Sequence, residues 1–185
     1  MYSAIERQQL LNIARESIQH TLNCGTRMEP EPERYGAHLR ELRATFVTLK
    51  IDDLLRGCIG NIVPRETLVE SIAHNAYSAA FHDPRFGSLR ADEYPLLNIS
   101  VSILSELEPI DFDSEQDLLQ QLRPGEDGLV ISAGEHSATF LPSVWEQLPD
   151  PQTFLAHLKE KAGLAADAWP QGIVAERYTT YTIAK

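Results

Sequence analysis

The run "TFVTLKIDDLLRGCIG", from Thr45 to Gly60, is the feature that most constrains the fold. Val47, Leu49 and Ile51 are apolar, while Thr45, Thr48 and Lys50 read as the polar set, the near-period-two pattern of a strand with one buried face. Asp52 and Asp53 supply a two-residue turn, so "LLRGCIG" returns as the second strand of a hairpin. A connection this short joins antiparallel strands; parallel neighbours need a crossover of a dozen residues or more.

The rest of the chain is consistent with that start. Ser3 and Glu6 stand at capping-box spacing ahead of Ile5, Leu10, Ile13, Ala14, Ile18 and Leu22, which predicts a first helix. Pro30 and Pro32 then mark a surface loop. After Pro64, the residues Leu68, Val69, Ile72, Ala73, Ala76, Tyr77 and Ala80 trace one helical face. That helix must stop near "HDPRFG", because Pro84 disfavours helical geometry at Asp83. "LLNISVSIL" sets Leu97, Ile99, Val101 and Ile103 against Asn98, Ser100 and Ser102, a strand with one wet face. A short helix from Ser114, a turn at "RPGEDG" and a second hairpin, "GLVIS" and "SATFL" joined by "AGEH", follow. Pro142 and Pro151 suit helix starts, Gly163 suits a helix end, and the terminal "IVAERYTTYTI" reads as one strand. Hairpins separated by helices predict an α+β protein with a mainly antiparallel sheet, flanking helices and no Rossmann or P-loop unit.

With 185 residues and 43% hydrophobic content, the chain fits one domain, or two unequal lobes sharing a core. The 27 acidic against 16 basic side chains give a formal charge of −11, which argues against nucleic-acid and membrane surfaces. Cys24 and Cys58 form no C-x-x-C pair and no signal-peptide pattern precedes them. The expectation is a cytoplasmic protein with free thiols.

The candidate chemistry gathers at two places. On a regular strand Arg56 and Cys58 share a face while Leu55 and Ile59 take the other, so the thiol lies off the core side beside a guanidinium. Arg56 then favours the thiolate and burial opposes it, and Cys58 is expected to alkylate faster than Cys24. Gly57 and Gly60 allow close approach of a backbone or ligand, and their amides suit an anion. The alternative is a small residue packed in a tight strand. The second place is "DPRF": Asp83 and Arg85 either face a cleft, or Asp83 caps backbone amides while Arg85 ties the turn to a neighbouring carbonyl or acid. His74 and His82 lack partners at metal-ligand spacing, so neither a metal nor another cofactor is expected, although Cys58 and His82 can still meet in space. Tyr77, Trp145 and Trp169 read as packing aromatics.

Taken together, "FVTLKIDDLLRGCIG", "NAYSAAFHDPRF", "ISVSILS", "EDGLVI", "ATFLPSVWEQLPDPQTFLAHLKEKAGL" and "ERYTTYTI" resemble the AMMECR-domain family, called AmmeMemoRadiSam system protein A in prokaryotes, with "LRGCIG" as its hallmark motif. The resemblance implies two unequal lobes, the larger from both chain ends and the smaller from the middle, with the hallmark near a cleft between them. It also implies partners: a Memo-like protein, whose fold resembles ring-cleaving dioxygenases, and a radical SAM protein. Two positions depart from the family pattern: Ser143 stands where glutamine is common, and His82 lies outside the motif, which weakens a Cys58–His82 pair. The resemblance marks Arg56, Gly57, Gly60, Asp83 and Arg85 as ligand- or partner-binding residues, with Cys58 as a catalytic candidate. Two roles follow: an accessory or substrate-binding component of a modification system, or a thiol-dependent enzyme using Cys58 as nucleophile or carrier. A small-molecule ligand is compatible with either.

Overall fold

The structure, a computed structural model, describes residues 1–184. The elements run α1 (Ala4–Cys24), β1 (Thr45–Ile51), β2 (Leu54–Gly60), α2 (Leu68–Phe81), β3 (Asn98–Leu104) and β4 (Glu108–Ile110). There follow α3 (Glu115–Gln121), β5 (Gly128–Ala133), β6 (His136–Phe140), α4 (Pro151–Lys161), β7 (Val174–Tyr178) and β8 (Thr180–Ala184). The strands form two four-stranded sheets, ordered β2-β1-β3-β8 and β4-β7-β5-β6, so the α+β class expected from the hairpins is the observed one. Two compact units result: residues 1–104 with the chain from Tyr181 onward, and Ser105–Thr180.

In the first unit, α1 opens with the Ser3–Glu6 capping box and ends at Gly25 in the left-handed region, φ 73°. Its buried stripe of Leu10, Ile13, Ala14 and Ile18 joins Leu68, Val69, Ile72, Ala73 and Ala76 of α2 and the inner faces of β1 and β3 in one core. The capping box that starts α2 is Thr67 with Glu70. Leu97, Ile99, Val101 and Ile103 are all buried, as their alternation requires.

Two details depart from the pattern read from the sequence. Thr45 lies on the buried face of β1 with Val47 and Leu49, not on the polar one. In the β1–β2 hairpin, Leu49 pairs with Gly57 but Lys50 pairs with Leu55, leaving Arg56 as an extra residue in β2. This bulge breaks the period. Leu55 therefore falls opposite Lys50 and is 39% exposed rather than packed in the core. With Arg56 as the extra residue, strict alternation no longer fixes its side chain relative to that of Cys58.

The second unit has its own core, with Trp145 stacked on Phe154 at 3.7 Å between ring centroids. Lys159 is buried and pairs with Glu115 at 2.6 Å. The terminal run is two strands, not one: β7 pairs with β4 and β5, whereas β8 joins the other sheet beside β3. No helix among the described residues is long and apolar enough to cross a membrane.

Candidate functional site

The two glycines of "LRGCIG" are required by packing. A Cβ on Gly57 would strike the carbonyl oxygen of Ala79 in α2, and one on Gly60 would overlap the Phe46 ring and the Thr45 carbonyl. Gly57 thus lets β2 lie directly on α2, which fixes the height of Cys58 beside it.

β2 is an edge strand, so some of its backbone groups have no strand to pair with. At Cys58 a side-chain pair replaces that strand. The Cys58 amide donates to Asp83 Oδ2 at 2.9 Å, and Arg85 Nη2 donates to the Cys58 carbonyl at 3.3 Å. Arg85 also holds Asp83 in a fork, Nε to Oδ1 at 3.0 Å and Nη2 to Oδ2 at 2.8 Å, and its own amide donates to Oδ1 at 3.1 Å. Pro84 stops α2 and leaves "DPRF" in a turn closed by Phe86 N–H to the Asp83 carbonyl at 3.1 Å. The Arg85 guanidinium, assisted by the Cys58 amide and opposed by burial, holds the Asp83 carboxyl well below the usual carboxylate range. The same pairing raises Arg85. Of the two readings of "DPRF", capping of amides by Asp83 and a carbonyl tie by Arg85 is what the geometry shows.

The thiol contacts Thr48, the residue opposite on β1, with Sγ and Oγ1 3.3 Å apart. Arg56 is engaged elsewhere: Nε and Nη2 donate to Glu93 at 2.8 and 3.1 Å, and the two side chains are only 15% and 20% exposed. Arg56 and the Arg90 amide together hold the Glu93 carboxyl below its ordinary value. The guanidinium expected to act on Cys58 is therefore already paired. Glu93 lies 37 residues from Arg56, and no local sequence signal announces it. Phe86 links the two arginines, its ring centroid 5.9 Å from Arg56 Cζ and 5.5 Å from Arg85 Cζ.

A polar network next to Gly60 was also missed by sequence reasoning. Asn75 Nδ2 lies within 3.0 Å of the Thr45 carbonyl, 2.9 Å of Thr45 Oγ1 and 2.9 Å of Asn61 Oδ1. Ser71 Oγ adds contacts to Thr45 Oγ1 at 2.8 Å and Asn61 Oδ1 at 3.2 Å. Polar residues on the α2 face that meets β1 were the available signal. His82 Nε2 meets the Tyr77 hydroxyl at 2.7 Å, and His74 lies between Glu66 at 3.0 Å and Glu29 at 3.3 Å. The structure thus joins Cys58, Asp83 and Arg85 by hydrogen bonds, brings Arg56 to them through Phe86, and gives His82 another partner.

Comparison with known proteins agrees with this architecture. A protein of Methanosarcina mazei is 37% identical over 177 residues, covering 93% of this chain and 87% of its own length. Protein MK0488 of Methanopyrus kandleri is 36% identical over 172 residues, covering 89% and 80%. The crystal structure of the uncharacterized protein PH0010 from Pyrococcus horikoshii superposes with a TM-score of 0.87 at 32% identity, over 94% of this chain and 88% of that one. The family model described as AMMECR1 matches residues 11–183, and the chain belongs to that family.

Proposed function

We propose that the protein is an accessory or substrate-binding component of a cytoplasmic modification system, acting with Memo-like and radical SAM proteins. The face that serves it is built from Arg56, Cys58, Asp83 and Arg85. The observation that carries this reading is the double engagement of the Cys58 backbone by the Asp83–Arg85 pair. A cysteine nucleophile is normally activated by a base within about 2.6–3.2 Å, whereas the hydrogen-bonding neighbour of Sγ is the Thr48 hydroxyl at 3.3 Å. A surface whose charged groups are already held in forks loses little side-chain freedom when a partner or ligand docks, which suits recognition.

The second reading, a thiol-dependent enzyme with Cys58 as nucleophile or carrier, has one observation in its favour: Arg85 Nη2 is tied to the Cys58 carbonyl at 3.3 Å, which keeps a guanidinium at the residue that carries the thiol. Association of the purified protein with a Memo-like protein tests both. Arg56→Lys keeps the charge and loses the fork; its folded fraction is expected to bind at least tenfold more weakly, while Cys58→Ser binds as the wild type does. Failure of the wild type to associate with either a Memo-like or a radical SAM protein sinks the accessory reading. A covalent substrate adduct on Cys58 that serine abolishes establishes the thiol reading instead.

A further inference from the structure

Arg56 donates Nε and Nη2 to Glu93, yet its Nη1 is buried and meets no hydrogen-bond acceptor among the described residues. Buried cationic donors without an acceptor are costly and rare, so such an atom marks a place where an acceptor belongs. On the same Phe86 ring Arg85, with its side chain 54% exposed, uses Nε and Nη2 on Asp83 and the Cys58 carbonyl, so among the described residues its Nη1 also stays unused. Both guanidinium groups lie against the same ring, Phe86, at 5.9 and 5.5 Å. One aromatic residue on a turn thus stands beside two cations whose carboxylate-binding edges are only half used.

Resting on the reading of this face as a recognition surface, we propose that the free edges of Arg56 and Arg85 bind the carboxylate of a small-molecule ligand, and that the Phe86 ring swings aside to admit it. A planar two-oxygen group matches guanidinium edges. Charge selects the class further. Glu93 and Asp83 already offset one positive charge each, so the cluster is formally neutral and suits a single negative charge better than a phosphate dianion. The ring change is a side-chain rotation at a partly exposed residue, which requires no movement of the sheet.

Acetate is the probe, with inorganic phosphate and potassium chloride as the comparison anions, read by NMR at the Arg56 and Arg85 Nε–H groups, the Cys58 amide and the Phe86 ring. The expected result is a saturable acetate shift confined to these four groups, weaker with phosphate and absent with chloride. Arg56→Lys should weaken acetate at least tenfold. Because that variant also alters the Glu93 pair, Phe86→Leu serves as the second: it keeps both arginines and should bind acetate no more weakly than the wild type. Equal shifts with all three anions, tighter phosphate binding, or a crystal structure grown in acetate with only a water on Arg56 Nη1 would each overturn the proposal. Partner association is scored separately. Loss of acetate binding with partner association intact removes this ligand class alone, whereas acetate binding without any partner association removes the accessory reading and leaves the site.

Discussion

The Cys58 amide donates to Asp83 Oδ2 at 2.9 Å, so the turn after α2 is bonded directly to the edge strand that carries the "LRGCIG" motif. Asp83 is 1% exposed at its side chain and serves two other donors, the Arg85 amide and guanidinium. Truncation to Asp83→Ala strands the Cys58 amide and the guanidinium together, and is expected to destabilise the fold by about 2–4 kcal/mol in urea denaturation.

The same contact sets a pH dependence. Its folded-state pKa is depressed, so on acidification the unfolded chain takes up the proton first. The contribution is fully present above the unfolded carboxyl value of about 4 and is lost as pH falls through the lower folded value. Stability of the wild type should therefore drop across that acid window. In Asp83→Asn the profile should be flatter there; identical slopes in the two proteins would show that this carboxylate is not the titrating group.

Gly57 and Gly60 are expected to resist even one methyl group. Gly57→Ala places Cβ on the Ala79 carbonyl oxygen, and relieving it separates β2 from α2 at an expected cost of about 1–3 kcal/mol or more. Gly36, which has open space around it and no positive φ, is the control, and its alanine variant should stay within about 0.5 kcal/mol. Thermal melts of the three variants decide it.

Arg56 behaves as part of a partly buried ion pair rather than as a surface charge. Arg56→Leu leaves Glu93, itself 20% exposed, without its main partner and should destabilise by about 1–3 kcal/mol. Adding Glu93→Gln should recover part of that loss, because the two residues share one interaction. A double variant as unstable as the sum of the singles would mean that the pair is not coupled.

Cys24 is exposed and Cys58 is half-buried against Thr48. With Arg56 committed to Glu93, iodoacetamide is expected to label Cys24 before Cys58 in the native protein, the reverse of what the strand pattern alone suggests. Mass-spectrometric rates that put Cys58 first would favour the thiol reading.

The hairpin at Asp52 and Asp53, the stop of α2 before Pro84, the one-sided alternation of Leu97 to Ile103 and the antiparallel α+β class were all determined by the sequence alone. Each depends on local rules: side-chain period, turn chemistry and the steric effect of proline on the residue before it. The capping role of Asp83 was legible for the same reason. Pairing between distant segments was not. Arg56 is the bulged residue because of how β2 registers against β1, and its carboxylate partner lies 37 positions along the chain. The terminal alternation from Ile173 to Ile183 is nearly uninterrupted in sequence, yet β7 and β8 enter different sheets. Thr45 looks like a solvent-facing residue until Ser71 and Asn75 supply its hydrogen bonds inside the core. In each case the deciding energy is a hydrogen bond or ion pair between groups that only folding brings together, so the tertiary structure alone chose which partner satisfies which donor.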